Sequence, residues 1–230
     1  MAATLDNVSG GRLDLGIGAG WLGEEHVAFG FGWNKLSARV ERLREAVEMM
    51  RKLWTENHVS YEGKYFQLKD ATLEPKPLQK PCPPVWIGGN SDSIRKVVAE
   101  VGDGWIPVLP TPRQLDDGVL QIKDKMRHVG RKPQTLQVAY GGSGCALIAE
   151  NEETIKKLAE PLIRAMGKHE SNSCLIGTPD QCIQKIEQYQ KAGAQTIVAG
   201  FYDFPSLNGL KLFAKSVIPH FKISRIQNDI

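Results

Sequence analysis

The sequence has few of the residues from which metal sites and disulfide frameworks are built. It contains four cysteines and five histidines in 230 residues. No two cysteines form a C-x-x-C pair, and no histidine lies at metal-ligand spacing from a cysteine. We therefore expect no bound metal, and we interpret the cysteines as buried free thiols of a reducing compartment. They are Cys82, Cys145, Cys174 and Cys182.

An excess of one charge is also missing, as are long apolar runs. The 29 basic and 26 acidic residues nearly cancel, which gives no support for nucleic acid as a partner. The densest basic stretch, 39–52, is interleaved with glutamates and is interpreted as a solvated helix face.

No apolar run reaches the roughly 18 residues of a membrane span, and the N-terminus lacks the apolar core of a secretion signal. We expect a cytoplasmic protein without a membrane partner.

Short apolar runs alternate with amphipathic segments along the chain. Apolar residues at steps of three and four predict a helix from Leu36 to Trp54. Thr178, followed by proline and then by glutamine at the third position after it, predicts the start of another helix, and Pro161 should kink or split a helix over 152–166. Five runs are interpreted as strands: 12–17, 85–87, 105–109, 136–148 and 195–199. This alternation indicates a parallel sheet with helical crossovers.

The most glycine-dense stretch is LGIGAGWLGEEH at 15–26, which matches G-x-G-x-x-G from Gly18. A dinucleotide-binding turn opens directly into a helix and is followed about 20 residues later by an acidic residue at a strand end. Here two glutamates follow the turn, and Gly30 and Gly32 argue against a regular helix. We interpret the match as accidental. The glycines instead indicate a tight turn at a strand end, where a flat ligand can approach the backbone.

A second glycine turn is better suited to binding a phosphate. In PPVWIGGNSDSIRKVVAE, an apolar strand leads through Gly88–Ser91 into a helix. Backbone N–H groups at such a turn bind an anion without any side-chain charge. Arg95 could add a charged contact, whereas Asp92 argues against an anion unless it caps the helix. An ordinary connection between a strand and a helix is the alternative interpretation.

Taken together, these motifs resemble the luciferase-like monooxygenase superfamily, in particular its oxidoreductases that use FMN or the deazaflavin coenzyme F420. The resemblance is carried by SGGRLDLGIGAGWLGEEHVAFG (9–30), LREAVEMMRKLWTE (43–56), VSYEGKYFQLKDATLEPKPLQKPCPPVWIGG (59–89), GDGWIP (102–107) and IGTPDQCIQKIEQYQKAGAQTIVAGF (176–201). It implies an α/β fold of the TIM-barrel-like (β/α)8 type, with a flavin or deazaflavin across the C-terminal mouth of the barrel.

The resemblance also implies where the cofactor and the substrate bind. The turn after the first strand would approach the ring system, and the second glycine turn would hold the phosphate, with backbone around Val108 closing the other side. The implied cofactor-binding residues are Gly18, Ala19, Gly20, Gly88, Gly89, Asn90, Ser91 and Val108. Trp21, Glu24 and His26 would lie on a loop near the substrate pocket, although packing, solvation or a merely structural histidine would also explain them. No catalytic residue is assigned.

The chain departs from the resembled family in its length. Family members begin with about three further β/α units, and a typical barrel needs about 250 residues. We therefore expect a single luciferase-like domain over 1–230, N-terminally truncated, with about five parallel strands. A second copy or a partner chain would cover its open edges. Two functions follow: hydride transfer or monooxygenation of a small organic substrate, or a non-catalytic flavin-binding remnant that lacks a complete active site.

Overall fold

The computed structural model describes residues 1–141 and 145–221. The chain divides into two compact units. The N-terminal unit comprises Met1–Ile106 and Gln121–Gln137, and the C-terminal unit comprises Pro107–Leu120 and the described residues from Val138 onwards. Each unit contains parallel strands and helices, which agrees with the predicted α/β class.

The N-terminal unit is built on three parallel strands. Its elements are α1 (Ala2–Val8), β1 (Leu15–Gly18), α2 (Gly23–Ala28), α3 (Leu36–Thr55), β2 (Val59–Glu62), β3 (Gln67–Ala71), β4 (Val85–Gly88), α4 (Asp92–Val101), β5 (Gly104–Ile106) and the second part of α5 (Pro112–His128). The parallel strands lie in the order β1-β4-β5, and β2 and β3 form a separate antiparallel hairpin. Among the described residues β1 pairs only with β4, so its other edge is open.

The two faces of this sheet differ sharply in side-chain size. Val85 and Ile87 are fully buried on one face, because alternate residues of a strand point to opposite sides. Residues on the other face include Trp86, whose indole lies over Gly104 so closely that a Cβ there would come within 2.3 Å of it. The glycines of this second face are Gly16, Gly18, Gly88 and Gly104. The face is therefore nearly free of side chains except at Trp86 and Ile106.

Helices α3 and α4 pack their predicted apolar faces into the core. Val40, Leu43, Val47 and Trp54 of α3 are buried as the spacing predicts, whereas Leu36 at its start is exposed. In α4 the buried apolar side chains are Ile94, Val97 and Val98. Each such side chain contributes about 1.5–3 kcal/mol on burial.

Polar side chains hold α3 against the sheet and the segment after α5 against the end of α4. Asp103 accepts hydrogen bonds through Oδ2 from the N–H of Val85 at 2.8 Å and from Arg51 at 2.5 Å. Arg131 donates to three carbonyls at the end of α4, those of Val98, Ala99 and Gly102. The interpretation of 39–52 as a wholly solvated face was wrong for Arg51, whose partly buried guanidinium forms this ion pair.

The C-terminal unit holds further parallel pairings. Its elements are β6 (Gln137–Tyr140), β7 (Cys145–Ile148), α6 (Glu152–Met166), α7 (Lys168–Ser171), β8 (Leu175–Gly177), α8 (Pro179–Lys191), β9 (Thr196–Ile197), β10 (Gly200–Phe201) and α9 (Asn208–Ser216). Strand β6 pairs with β9, and β7 lies between β10 and β8.

Several sequence predictions can be compared with these elements. The described residues include eight strands in parallel pairings, so the prediction of about five was too low. The apolar run 136–148 contains both β6 and β7, and 142–144 lie outside the described residues. Helix α6 continues through Pro161 and is not split. The predicted start of α8 is confirmed, because Thr178 and Gln181 form a reciprocal capping box.

Three of the four cysteines, Cys82, Cys174 and Cys182, are buried and free as predicted. The side chain of Cys145 lies outside the described part of the structure. No helix of the described residues has the length and apolar character needed to cross a membrane.

Candidate functional site

The carboxyl ends of β1 and β4 form a surface without side chains, which we call the glycine shelf (Gly18 and Gly88). The two glycines are register partners on adjacent parallel strands. A Cβ added at Gly18 would meet only the carbonyl oxygen of Gly88 within 4 Å, at 3.7 Å. A Cβ at Gly88 would likewise meet nothing closer than 3.7 Å. The shelf is thus open space that a flat ligand can occupy, at the strand ends where parallel α/β folds place their sites.

The glycine shelf leads directly into the start of α4. Gly89, with φ +127°, turns the chain, and its carbonyl accepts a hydrogen bond from Nε1 of Trp105 at 2.9 Å. Ser91 caps α4 by accepting from the N–H of Ile94. The first N–H groups of a helix have no acceptor within it and carry partial positive charge. This turn therefore has the chemistry of an anion site.

Arg95 and Asp92, the two charged residues at this turn, make other contacts than the anion contact and the helix cap that the sequence suggested for them. Arg95 donates to the carbonyl of Asn90 and so folds back over the turn, while its buried Nε makes no hydrogen bond. Asp92 does not cap the helix, since Ser91 does. Its exposed carboxylate pairs with Lys125 at 3.2 Å. The negative charge at the first turn of α4 is thus partly neutralised by a lysine.

The turn after β1 is held by a side chain that the sequence did not single out. Arg39, in the first turns of α3, donates from Nη1 to the carbonyl of Gly20 at 2.9 Å. Gly20 has φ +79°, and a Cβ there would lie 2.6 Å from the ring of His26. Both its left-handed backbone and this close approach require glycine. The interpretation of Arg39 as part of a solvated face was therefore also wrong.

One guanidinium and two aromatic rings pack against one another beside this turn. The guanidinium of Arg39 lies 3.6 Å from the centre of the Trp33 ring, and Trp33 contacts His26 edge-on with a centroid separation of 4.8 Å. Nδ1 of His26 lies 3.0 Å from the carbonyl of Leu22. Because a carbonyl only accepts, Nδ1 carries a hydrogen in this contact.

The predicted substrate-pocket residues are not brought together. Glu24 and His26 lie on the short helix α2 rather than on a loop, so that part of the expectation was wrong. Glutamates in its first turn stabilise this helix through its dipole. The side chains of Trp21 and Glu24 are exposed, Trp21 to 85%. Val108 belongs to the C-terminal unit, where it forms an isolated bridge with Gly141.

A cavity of about 790 Å³ lies beside the turn after β1, in the N-terminal unit. We call it the β1–α3 cavity. Its walls are mainly apolar and include Leu15 and Ile17 of β1 and Met50 of α3. Gly18, Ala19 and His26 also line it, so three of the predicted site residues meet there. Trp21 and Glu24 do not belong to its walls.

The described residues offer no metal centre, and two of their buried thiols are not activated. No three histidine, cysteine, aspartate or glutamate side chains among them lie where they could share a metal ion. Burial raises the pKa of the Cys182 thiol to about 11 and that of Cys82 above its ordinary value. Both thiols are therefore protonated at neutral pH and are poor nucleophiles. The site is suited to holding a flat ligand with an anionic group.

The chain is similar to known proteins over most of its length. Residues 1–173 match the family model of the luciferase-like monooxygenases. The chain is 25% identical to an FMNH(2)-dependent dimethylsulfone monooxygenase of Pseudomonas putida, over 94% of this chain and 68% of that protein. It is 26% identical to an F420-dependent glucose-6-phosphate dehydrogenase of Microbacterium testaceum, over 96% of this chain and 72% of that protein.

A solved structure shows the same fold. An F420-dependent secondary alcohol dehydrogenase, in complex with an F420-acetone adduct, superposes with a TM-score of 0.79 at 24% identity, covering 95% of this chain and 72% of that one. The predicted fold class is therefore confirmed. Since the family model covers most of the chain and the relatives are oxidoreductases and monooxygenases, the chain belongs to the enzyme family of luciferase-like monooxygenases.

Proposed function

We propose that this chain binds FMN or coenzyme F420 at the glycine shelf and acts as an oxidoreductase on a small organic substrate. The observation that carries the proposal is the pairing of Gly18 with Gly88 at the carboxyl ends of adjacent strands, beside the capped start of α4. Two glycines in register leave room for a ring, and the helix start offers N–H groups to a phosphate.

In this proposal the residues of the shelf bind and orient the cofactor. Gly18, Ala19 and Gly20 lie against the ring system, and the Gly88–Ser91 turn, including Gly89 and Asn90, holds the phosphate. The bound cofactor supplies hydride-transfer or oxygenation chemistry, and the protein positions it and excludes water.

The relatives support the cofactor more directly than any one substrate. Their names include a sulfone monooxygenase and a sugar-phosphate dehydrogenase, so their substrates differ while a flavin or deazaflavin recurs. The fit of the shelf to a flat anionic ligand is the property that such enzymes would share. We therefore extend the proposal to a small organic substrate without naming it.

The second candidate is a non-catalytic protein that binds the cofactor without turnover. It is favoured by the open edge of β1, which among the described residues pairs only with β4. One wall of the shelf is then missing, and a bound ring would stay in contact with water. This candidate keeps the phosphate turn but lacks a complete active site.

Two measurements test these candidates in sequence. Thermal unfolding is followed with added FMN, F420 or riboflavin, which lacks the phosphate. A ligand at about 100 times its Kd stabilises the native state by about 2.7 kcal/mol. We expect FMN or F420 to raise the midpoint more than riboflavin does. No shift with either cofactor contradicts the proposal.

If a cofactor binds, small alcohols are supplied as oxidisable substrates together with the oxidised cofactor and an artificial electron acceptor, which reoxidises the cofactor after each hydride transfer, and turnover is measured with and without the chain. Turnover above that of free cofactor supports the enzyme. Tight binding without turnover supports the non-catalytic candidate.

A further inference from the structure

We propose that the β1–α3 cavity is a binding site for an amphipathic organic anion, such as a medium-chain carboxylate. The cavity lies wholly within the N-terminal unit and has a volume of about 790 Å³. That size falls in the range of small-molecule sites, which are mainly apolar with a few convergent polar groups. The proposal stands on the cavity alone and does not depend on a bound cofactor.

The polarity of the cavity changes along α3. Arg39 and Arg42 line it near the start of the helix, and Ala46 and Met50 line it further on. At 1.5 Å per residue, the distance along the helix from Arg39 to Met50 is about 16 Å. The cavity is thus elongated, with positive charge at one end and apolar walls at the other. An anion with an apolar chain has the same arrangement.

The two arginines at the charged end lack acidic partners. Arg39 donates to the carbonyl of Gly20, and Arg42 lies 5.5 Å from the ring of Phe66. Within the described part of the chain neither guanidinium forms an ion pair. By contrast, Arg44 and Arg51 of the same helix pair with Glu48 and Asp103.

Two uncompensated guanidinium groups beside apolar walls favour an anion. A guanidinium matches the geometry of a carboxylate with two parallel hydrogen bonds. His26 and Asn34 add polar atoms at the same end of the cavity. No acidic side chain lines the cavity among the described residues, so nothing there repels the head group.

The apolar end matches an alkyl chain. Leu15 and Ile17 point from the same side of β1, and Leu43 and Met50 face them from α3. Covering these side chains gains about 25 cal/mol for each Å² removed from water. The charged head then supplies orientation, and the chain supplies most of the binding energy.

The test measures dodecanoate binding to the full chain by calorimetry. Dodecan-1-ol has the same chain without the charge, and acetate has the charge without the chain. We expect dodecanoate to bind about tenfold or more tightly than the alcohol, with no measurable binding of acetate. Equal affinities for the acid and the alcohol overturn the proposal.

Two variants locate the site. Arg42→Gln should weaken dodecanoate binding about tenfold, whereas Arg113→Gln, a fully solvated arginine of the other unit, should leave it unchanged and serves as the charge-matched control. Ala46→Phe should block the apolar end while leaving both arginines in place.

Equal binding by all three variants and the wild-type chain means that the anion binds elsewhere, and it overturns the proposal. A wild-type chain that does not bind dodecanoate also overturns it. If Ala46→Phe fails to fold, as judged by circular dichroism, the Arg42→Gln comparison decides alone.

Discussion

Gly18 and Gly88 lie opposite each other on adjacent parallel strands, and the space above both is bounded only by backbone and the edge of Ile106. The backbone conformation does not require glycine at either position, since neither residue has a positive φ. Glycine in a strand weakens it and commonly marks a place where another group approaches closely. We therefore propose that the pair serves a ligand rather than the fold.

Filling the shelf should weaken cofactor binding without unfolding the protein. We predict that Gly18→Val lowers the affinity for FMN or F420 about tenfold or more, because an overpacked contact costs roughly 1–3 kcal/mol. Valine is well suited to a strand. The matched control is Gly16→Val, two residues earlier on the same face, where a Cβ would meet nothing within 4 Å. Equal affinities of the two variants in a fluorescence titration contradict the shelf as the site.

Removing the Arg39 guanidinium should loosen the turn after β1. We predict that Arg39→Met destabilises the chain by about 1–3 kcal/mol, from the lost hydrogen bond to Gly20 and the lost stacking on Trp33. Arg39→Lys should recover only part of this, since lysine lacks the planar group. Urea unfolding measures both variants. Arg42→Met on the same helix is the control, and an equal loss there would show that Arg39 has no special role.

Local signals in the sequence predicted the β4–α4 connection well. An apolar run and two glycines lie within a few residues of one another, and each acts on its immediate neighbours. The cap itself is Ser91, whereas from the sequence we considered only Asp92 for that role. Thr178 and Gln181 likewise act on their immediate neighbours. These parts of the fold could be predicted from the local sequence alone.

The contacts of Arg39 and Arg51 could not be predicted in this way. Their partners lie 19 and 52 residues away in the sequence, and a helix rich in charges looks solvated until its packing is known. Strands β8 and β10 were missed because they have only three and two residues and show no periodicity. The equally short β5 and β9 were found only within the longer predicted runs 105–109 and 195–199. The β2–β3 hairpin depends on buried Glu45, which accepts from the N–H groups of Lys64 and Tyr65.

The ion pair between Asp103 and Arg51, beside the start of β4, should contribute measurably to the free energy of unfolding. Asp103→Ala removes the acceptor of the Val85 N–H and the carboxylate partner of Arg51, which keeps its hydrogen bond to the carbonyl of Val101. We predict a loss of about 2–3 kcal/mol, because a partly buried N–H loses its acceptor and a guanidinium loses its counter-charge. Asp103→Asn keeps an acceptor oxygen and should cost less. Chemical unfolding of both variants checks the order. A reversed order would contradict the role assigned to the carboxylate.

The buried carboxyl of Asp6 should make stability depend on pH. Burial opposes its ionisation, but hydrogen bonds from the backbone and side chain of Gln79 outweigh it and lower the pKa of Asp6. A pKa lowered by folding contributes stability above the unfolded value, and that contribution is lost as the pH falls through the folded value.

We therefore predict that Asp6→Asn reduces stability at about pH 7 and that its difference from the wild-type chain shrinks towards about pH 3. Unfolding by urea at both pH values measures it. Asp14→Asn, an exposed carboxyl of the same unit, is the control and should show little difference at either pH. A gap for Asp6→Asn that widens on acidification would show that the sign is wrong.

The capping box of α8 should carry a measurable part of the stability of the C-terminal unit. Thr178 and Gln181 satisfy each other's backbone N–H groups. We predict that Thr178→Ala costs about 0.5–2 kcal/mol, and that Thr178→Ser costs much less because serine is an equally good cap. Thermal unfolding compares them.

The most direct test of the cofactor site is hydrogen–deuterium exchange of the chain with and without saturating FMN or F420. We predict slower exchange of the backbone amides at 18–21 and at 88–94, where the ring and the phosphate are proposed to lie. Riboflavin should protect the first segment more than the second. Protection confined to other segments, or no protection at either glycine turn despite tight binding, would contradict the glycine shelf as the cofactor site.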